Sequence, residues 1–329
     1  MNLKKYLAGS LLAALTAFAA MMTTAAAAAE DYPSHPIRLI VGYAAGGPTD
    51  VAARVYAKYL QAQIKQSVIV ENRAGASGMV GASAVMNAPA DGYTLYYISS
   101  PTMTITPIVQ AENTIKPLTD FTYIGLLYDY ANVLIVGENS RFKSVADLIA
   151  QARQHPNGVS YGSAGVGASN HLAGELLAQR SNVKMLHVPY KGNAPAAVDI
   201  MSGKIDFMFD VIGSAVNQVR GGKFKALAIA SLTRSPVFPN VPTVAESGLK
   251  NFEVSGWYGL VGPRGLSQDI VNRLVKANAA VAANPDYKKW MEQYGYNVQA
   301  TGPDELRQRV KGDIALWGPV IKAAKIRVE

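Results

Sequence analysis

Short β-branched or aromatic runs alternate with helical patterns along the 329-residue chain, and this alternation restricts the fold more than any other feature. The runs predict strands over residues 37–41, 68–70, 95–98, 134–136, 159–161, 185–188, 207–209, 226–230 and 258–261. Apolar residues at helical spacing predict helices over 51–64, 145–152, 194–201 and 270–283, and another around Leu172 and Leu176. The alternation predicts an α/β protein with parallel sheets covered by helices on both faces.

Composition narrows the class of protein further. The chain is 49% hydrophobic and 16% charged, which argues against disorder and against a coiled coil. It contains no cysteine, which excludes disulfide scaffolds, cysteine nucleophiles, thiolate zinc sites and iron–sulfur clusters. The length is enough for about two domains, each with its own hydrophobic core.

The N-terminal residues have the pattern of an export signal. Lys4 and Lys5 precede an apolar run over residues 7–22, and three alanines end at Ala29. We therefore expect residues 1–29 to be a signal peptide cleaved near Ala29, and the mature protein to be soluble in the periplasm. A retained membrane anchor is the alternative, but the run is shorter than a bilayer crossing needs. Removing both lysines lowers the formal net charge from +8 to +6.

Two glycine-rich loops follow predicted strands and precede predicted helices. The first, residues 42–50, has two adjacent glycines and a proline at the helix start, and the second, residues 161–171, has three glycines. In open α/β sheets ligands bind beyond the carboxyl ends of strands, where the free N–H groups of helix N-termini favour anions. The first loop alone is better explained as a glycine turn before a capped helix than as a binding site. However, the chain has one such glycine-rich loop in each of its halves, and this pairing predicts a small anion that is held from two sides.

The sequence contains no recognisable catalytic set. It has no G-x-S-x-G motif, its four histidines lack metal-binding spacing, and the second loop does not match the dinucleotide fingerprint. Lys and Arg are spread evenly, which argues against nucleic-acid binding. We therefore predict no catalytic residues, no metal, no cofactor and no nucleic-acid partner. An exported enzyme that uses a carboxylate pair such as Asp50 and Asp210 is the competing hypothesis.

An ordered series of short motifs runs through nearly all of the sequence after residue 30. The series comprises residues 32–33, 36–41, 46–50 with Arg54, 70–78, 91–95, 120–121, 161–172, 188–192, 241–248 and 257–260. Each motif is weak alone, but their order is specific. On these motifs the chain resembles the Bug receptors, the extracytoplasmic solute receptors of the tripartite tricarboxylate transporter type in Gram-negative bacteria.

This resemblance implies a type II periplasmic-binding-protein fold, in which two α/β lobes enclose a ligand cleft. The chain would cross between the lobes at two hinge segments, which we place near Ala131 and at residues 248–254. Lobe 1 would then comprise residues 30–130 and 251–329, and lobe 2 residues 131–250.

The resemblance also implies which residues bind the ligand. In these receptors the two loops hold a carboxylate through backbone N–H groups, small side chains and water. The residues implied in lobe 1 are Tyr43, Gly46, Gly47, Thr49, Asp50, Ser99 and Ser100. Those implied in lobe 2 are Ser163, Gly167, Ala168, Ser169, Asn170, His171, Tyr190 and Asp210. The chain departs from the family pattern at two places in the pocket. Ala168 replaces a common Ser, and Ala44-Ala45 replace an aromatic–Pro run. These departures leave the identity of the ligand open.

We therefore expect a periplasmic receptor, not an enzyme, that captures a small carboxylate such as a dicarboxylate, an aromatic acid or an amino acid. Its other partners would be the permease subunits of a tripartite tricarboxylate transporter, and we expect it to be a monomer. A role in presenting the ligand to a sensor kinase stays open. An exported hydrolase on the same scaffold is less favoured.

Overall fold

The predicted strands form one long mixed sheet in the computed structural model, which describes residues 32–110 and 115–323. The predicted signal peptide lies outside the described residues. The strands of the described part are β1 (Ile37–Val41), β2 (Val68–Asn72), β3 (Thr94–Ser99), β4 (Phe121–Gly137), β5 (Ser160–Ser163), β6 (Leu186–Pro189), β7 (Phe207–Val211), β8 (Phe224–Ile229), β9 (Ser255–Pro263) and β10 (Asn297–Val298). Their order is β2-β1-β3-β9-β4-β7-β5-β6, with β8 and β10 also paired to β4.

Strand β4 joins two halves of this sheet. It is 17 residues long, although its sequence predicts a strand only over residues 134–136. Its first part pairs with β9 as far as Ala131, which faces Ser255, and from Asn132 onward it pairs with β7 and β8. We call the half with β1, β2, β3, β9 and β10 lobe 1 and the half with β5 to β8 lobe 2. The residue limits predicted for the lobes stay a prediction.

Strand directions differ between the outer and central parts of the sheet. In lobe 1, β1 is parallel to β2 and β3, and in lobe 2, β5 is parallel to β6 and β7, as the strand–helix alternation predicts. In the centre β9 is antiparallel to β3 and β4, and β4 is antiparallel to β7 and β8. The prediction of parallel sheets is therefore confirmed for the outer strands and wrong for the pairs formed by the central strands β4 and β9.

Helices follow most of the parallel strands, and those predicted from periodicity are present within about three residues of their predicted bounds. They are α1 (Pro48–Ile64), α2 (Met79–Met86), α3 (Ser100–Thr104), α4 (Thr106–Val109), α5 (Pro117–Asp120), α6 (Val145–Gln154), α7 (Ser169–Arg180), α8 (Asn193–Met201), α9 (Ile212–Arg220), α10 (Gln268–Ala283), α11 (Pro285–Gln293) and α12 (Pro303–Ala323). Within the described ranges, no helix has both the length and the apolar character that a bilayer crossing requires.

Apolar side chains from sheet and helices form the core. In lobe 1, α1 buries Tyr56 and Leu60 in a cluster that also contains Leu39 of β1. In lobe 2, Phe207 and Phe209 of β7 lie in a second buried cluster. This packing fixes the helices relative to the strand ends, and the N-termini of α1, α7, α8 and α9 face the boundary between the lobes.

Candidate functional site

A small pocket lies at the boundary between the lobes, next to the carboxyl ends of the parallel strands. It is lined by Tyr43, Gly47, Pro48, Thr49, Ser99, Pro101, Tyr130, Ala164, Ala168, Ser169, Asn170, Asn193, Val211 and Tyr258. None of these described lining residues carries a charged side chain. The cavity volume is about 20 Å³, which is room for about one water molecule. The lobes must therefore separate to admit any larger ligand.

Five helices begin at this pocket without a side-chain cap. Their N-cap residues are Gly47 for α1, Ser99 for α3, Ala168 for α7, Gly192 for α8 and Val211 for α9, and none of these accepts a capping hydrogen bond through its side chain. Elsewhere, α6, α10 and α11 are capped by the side chains of Ser144, Ser267 and Asn284, whereas α2, α4 and α5 also begin without a side-chain cap. Uncapped first turns leave N–H groups that can bind an anion, and the helix dipoles favour negative charge there.

Hydroxyl groups form the lobe 1 wall of the pocket. Tyr43 is buried, and its hydroxyl lies 3.0 Å from Ser99 Oγ and donates to the carbonyl of Ser77 at 3.1 Å. Burial raises the pKa of Tyr43, so this phenol stays neutral. Thr49 Oγ1 lies 2.9 Å from the hydroxyl of Tyr258 on β9. These groups supply neutral donors rather than a fixed positive charge.

Asp50 lies in the first turn of α1 but points away from the pocket. Its carboxylate accepts hydrogen bonds from Gly46 N at 2.9 Å, from Arg54 Nε at 3.0 Å and from Asn72 Nδ2 at 2.9 Å. Burial works against the charged form, but these bonds outweigh it and hold the pKa of Asp50 below its ordinary value. The carboxylate therefore fixes the shape of the first glycine-rich loop, whose Gly46 has a positive φ of 78°.

The second glycine-rich loop is held by its own side chains. Asn170 Oδ1 accepts from Ala164 N at 3.0 Å and from His171 N at 3.1 Å, and His171 Nδ1 accepts from Gly167 N at 3.1 Å. On the opposite side of the loop, Ser163 Oγ accepts from Gly165 N at 3.1 Å. The loop is thereby folded back onto the first turn of α7, which places Ser169 and Asn170 at the pocket.

A chain of amide and carboxyl groups connects three of the helix starts. Asn170 Nδ2 donates to Asn193 Oδ1 at 3.2 Å, and Asn193 Nδ2 donates to Asp210 Oδ1. Val211 N also donates to Asp210 Oδ1, at 2.8 Å. Burial raises the pKa of Asp210 to about 6. Asp210 thus supports the pocket from behind, through Asn193.

Two histidines lie behind the second loop. The rings of His171 and His187 stack with centroids 4.1 Å apart, and His187 Nε2 lies 2.6 Å from Ser163 Oγ. Burial lowers the pKa of His171 to about 3, with a further contribution from His187, and lowers that of His187 to about 4. Both imidazoles are therefore neutral at pH 7. Ser163 has no exposed surface, so this Ser–His contact supports the loop and does not present a nucleophile.

Tyrosines from the central strands form the floor of the pocket. Tyr258 of β9 packs against Tyr130 and Tyr128 of β4, with ring centroids 4.9 Å and 5.0 Å apart, and Tyr97 lies on its other side. The Tyr130 hydroxyl donates to Ser169 Oγ across the lobe boundary at 3.4 Å. The floor therefore belongs to β4 and β9, the central strands of the sheet.

A strained turn stands at one side of the pocket. Residues 75–78 all have positive φ, and two of them, Ala76 and Ser77, are not glycine. The carbonyl groups of residues 76–78 accept hydrogen bonds from the side chains of Gln110, Tyr43, Thr102 and Tyr96. The surrounding side chains thus hold a backbone conformation that such residues rarely adopt, which is typical of functional sites.

The two lobes contact each other at two places near the pocket. Ser77 Oγ donates to the carbonyl of Val166 at 2.5 Å, and Ala44 N donates to the carbonyl of Lys191 at 3.2 Å. Gly165 allows the first contact, because a Cβ there would lie 2.6 Å from Ser77 Oγ. The structure is therefore that of lobes closed upon each other.

Seven of the residues predicted to bind the ligand meet at the pocket, namely Tyr43, Gly47, Thr49, Ser99, Ala168, Ser169 and Asn170. Eight do not line it: Gly46, Asp50, Ser100, Ser163, Gly167, His171, Tyr190 and Asp210. The sequence analysis missed seven lining residues: Pro48, Pro101, Tyr130, Ala164, Asn193, Val211 and Tyr258. Asn193 and Val211 also lie where a strand is followed by a helix. The expectation that ligands bind beyond the carboxyl ends of strands would therefore have identified them.

In the described part of the chain, no group of three or more His, Asp or Glu side chains is arranged to hold a metal ion. The polar groups at the pocket are amides, hydroxyls and backbone N–H groups. Such groups can bind and orient an anion through hydrogen bonds.

Comparisons with known proteins agree with this geometry. The family described as "Tripartite tricarboxylate transporter family receptor" matches residues 52–326. A UPF0065 protein from the tcbD–tcbE intergenic region of Pseudomonas sp. (strain P51) is 36% identical over 312 residues, which are 93% of this chain and 92% of that protein.

Two solved structures are similar over nearly their whole length. The periplasmic binding protein BugD has a TM-score of 0.87 at 34% identity, covering 91% of this chain and 100% of BugD. An R. palustris protein solved with adipate has a TM-score of 0.87 at 32% identity, covering 90% of this chain and 99% of that one. The predicted periplasmic-binding-protein fold is thereby confirmed.

Proposed function

Because the chain belongs to the tripartite tricarboxylate transporter receptor family, we propose that it captures a small carboxylate and delivers it to the membrane subunits of such a transporter. Members of this family are periplasmic solute-binding receptors. Family membership therefore confirms the predicted resemblance and the prediction that the chain is a receptor rather than an enzyme.

The observation that carries the proposal is the meeting of five helix N-termini without side-chain caps at one uncharged pocket. A carboxylate placed there would accept hydrogen bonds from backbone N–H groups and from hydroxyls such as those of Thr49 and Ser169. Water can bridge the remaining distances at little enthalpic cost. Without a lysine or arginine in the lining, the helix dipoles supply the positive potential.

The chemical class of the ligand follows from the same pocket. The related R. palustris protein was solved with adipate, a dicarboxylate. We propose a small carboxylate for this chain too, and the resemblance implies that Ala168 stands where family members often carry a serine. Asn170 and Asn193 offer an amide from each of two helix starts to the ligand.

Capture would proceed by closure of the two lobes. We propose hinges near Ala131 in β4 and at residues 248–254, with lobe 1 formed by residues 30–130 and 251–329. Two contacts near these segments support this placement: Asn132 Nδ2 donates to the Val254 carbonyl at 2.9 Å, and Val254 N donates to the Ala230 carbonyl at 2.9 Å. Bending at these points would move the α7 loop away from the α1 loop.

Export would precede capture. We propose that residues 1–29 direct the chain to the periplasm and are removed near Ala29, in keeping with the periplasmic location of the family. Sequencing the N-terminus of the protein recovered from periplasm should return Glu30 or a residue within a few positions of it.

Calorimetric titration of the purified protein with malate, adipate, glutamate and benzoate tests the proposed function. We expect saturable binding of at least one of these acids at one site per chain, and no binding of the corresponding amides, which lack the negative charge. Equal binding of acid and amide would contradict recognition of a carboxylate. If none of a broader panel of mono- and dicarboxylates bound, the proposed function would be wrong.

A further inference from the structure

A second cavity opens beside the pocket, again between the lobes. It is lined by Gly46, Pro48, Val51, Gly213, Ser214, Asn217, Gln218, Trp290, Tyr294 and Tyr296, and we call it the aromatic crevice. Pro48 lines both cavities, and the chain passes from one to the other at Gly46–Gly47 and at Val211–Gly213. Its volume is about 190 Å³, against about 20 Å³ for the pocket. The crevice is therefore the larger space reached from the α1 and α9 helix starts.

Three aromatic rings form the lobe 1 wall of the crevice. Trp290 of α11 packs against Tyr294 with ring centroids 4.4 Å apart and stacks on Tyr296 at 6.3 Å. Trp290 and Tyr294 are only partly buried, so part of each ring remains open where it lines the crevice. Partly open aromatic rings can pack against another planar group.

The lobe 2 wall is the first two turns of α9. Gly213 must be glycine here, because a Cβ would lie 2.0 Å from the Tyr296 hydroxyl. The side chains that follow are small or amide-bearing: Ser214, Asn217 and Gln218, with Gln218 Nε2 donating to Ser214 Oγ at 2.8 Å. Closure of the lobes thus leaves a slot between an aromatic wall and a neutral polar wall.

We propose that the aromatic crevice holds the uncharged, planar end of a ligand whose carboxylate occupies the pocket. This proposal rests on the proposed function and narrows the ligand class to carboxylates that carry an aromatic or similarly flat apolar group. The aromatic wall of the crevice offers ring surface rather than backbone N–H groups, so it suits a flat apolar group better than a second carboxylate. A flat apolar group would instead bury its surface against Trp290 and Tyr294.

The test compares phenyl-bearing acids with a dicarboxylate by calorimetric titration. The ligands are phenylacetate, 3-phenylpropionate and 4-phenylbutyrate, whose rings lie at increasing distance from the carboxylate, and adipate. The variant is Trp290→Ala. Its matched control is Tyr59→Ala, which removes a partly buried ring that packs on Tyr287 of the same helix with centroids 5.4 Å apart but does not line the crevice.

We expect Trp290→Ala to weaken binding of the preferred phenyl acid about three- to tenfold, as loss of a stacked aromatic contact does. Adipate binding, if present, should change by less than about twofold in the same variant. Tyr59→Ala should leave the affinity for both classes unchanged. An equal loss for both classes, or tight adipate binding without binding of any phenyl acid, would overturn the crevice proposal and leave the proposed function intact.

A second variant provides an independent test in case the Trp290→Ala protein does not fold. Ser214→Leu adds a larger side chain to the opposite wall, at a partly exposed helix position, and narrows the slot. It should also weaken the phenyl acids selectively, and wild-type affinity for them would overturn the proposal. Absence of binding by every acid in the wild-type protein would instead overturn the proposed function itself.

Discussion

Replacing Ser77 by alanine should shorten the lifetime of the liganded receptor. The Ser77 hydroxyl donates to the carbonyl of Val166 at 2.5 Å, and this bond joins the lobes beside the pocket. Because the contact exists only when the lobes are closed, its loss should act on ligand release rather than on ligand entry. The dissociation rate should rise while the association rate stays near the wild-type value.

The structure sets the size of this effect. A hydrogen bond of this kind contributes about 1 kcal/mol net, and Val166 is only partly buried, so water can replace the lost donor. A loss of about 1 kcal/mol corresponds to a rise of about fivefold in the dissociation constant. Other contacts between the lobes, such as the bond from Ala44 N to the Lys191 carbonyl and that from the Tyr130 hydroxyl to Ser169 Oγ, would remain and limit the loss.

Stopped-flow or surface-plasmon measurements of ligand release provide the assay, with two matched variants. Ser77→Gly removes the same hydroxyl but suits the positive φ of 52°, so it should release ligand as fast as Ser77→Ala while melting at a higher temperature. Ser247→Ala removes a hydroxyl that donates to the Thr243 carbonyl within lobe 2, and release should be unchanged. A folded Ser77→Ala protein that releases ligand at the wild-type rate would refute the reasoning.

Three further predictions address the loops. Gly47→Leu should weaken ligand binding at least tenfold, as calorimetry would measure, with little change in melting temperature, because the side chain would enter the pocket; wild-type affinity would contradict this placement of the site. Asp50→Ala should lower the free energy of unfolding by about 2–3 kcal/mol in urea titrations, because the first loop loses its carboxylate acceptor, whereas an unchanged midpoint would contradict that role. Because the folded protein keeps His171 and His187 neutral, the unfolded chain binds more protons below pH 6.5, so the free energy of unfolding should fall as pH drops from about 6.5 towards 4. His171→Gln should make that decline shallower, and an equal slope would contradict the assignment.

The sequence predicts the outer parts of the fold well because local patterns determine them. Strand β1 has the predicted bounds, and α1 differs only in its first turn, where Pro48 and Thr49 precede the apolar periodicity. Strand β4 was predicted over three of its 17 residues, because Gly125, Asp129 and Asn132 interrupt its apolar run. Its length comes from pairing with β9 in one lobe and with β7 and β8 in the other, which are contacts between distant segments.

The residues of the candidate site also differ in how well local sequence patterns predict them. Glycine-rich loops at strand ends are visible in the sequence, so Gly47, Thr49, Ser169 and Asn170 were predicted at the pocket that they line. Tyr258 and Tyr130 were not, because they reach the pocket from the central strands and no local motif marks them. The direction of a side chain is also a tertiary property: Asp50 belongs to the predicted loop, yet its carboxylate faces Asn72 of β2.

A crystal structure of the protein with its preferred carboxylate would test the central claim most directly. We predict carboxylate oxygens within about 3 Å of backbone N–H groups in the first turns of α1 and α7, with no lysine or arginine side chain in contact with them. A carboxylate held by a cationic side chain, or bound outside the boundary between the lobes, would contradict the account.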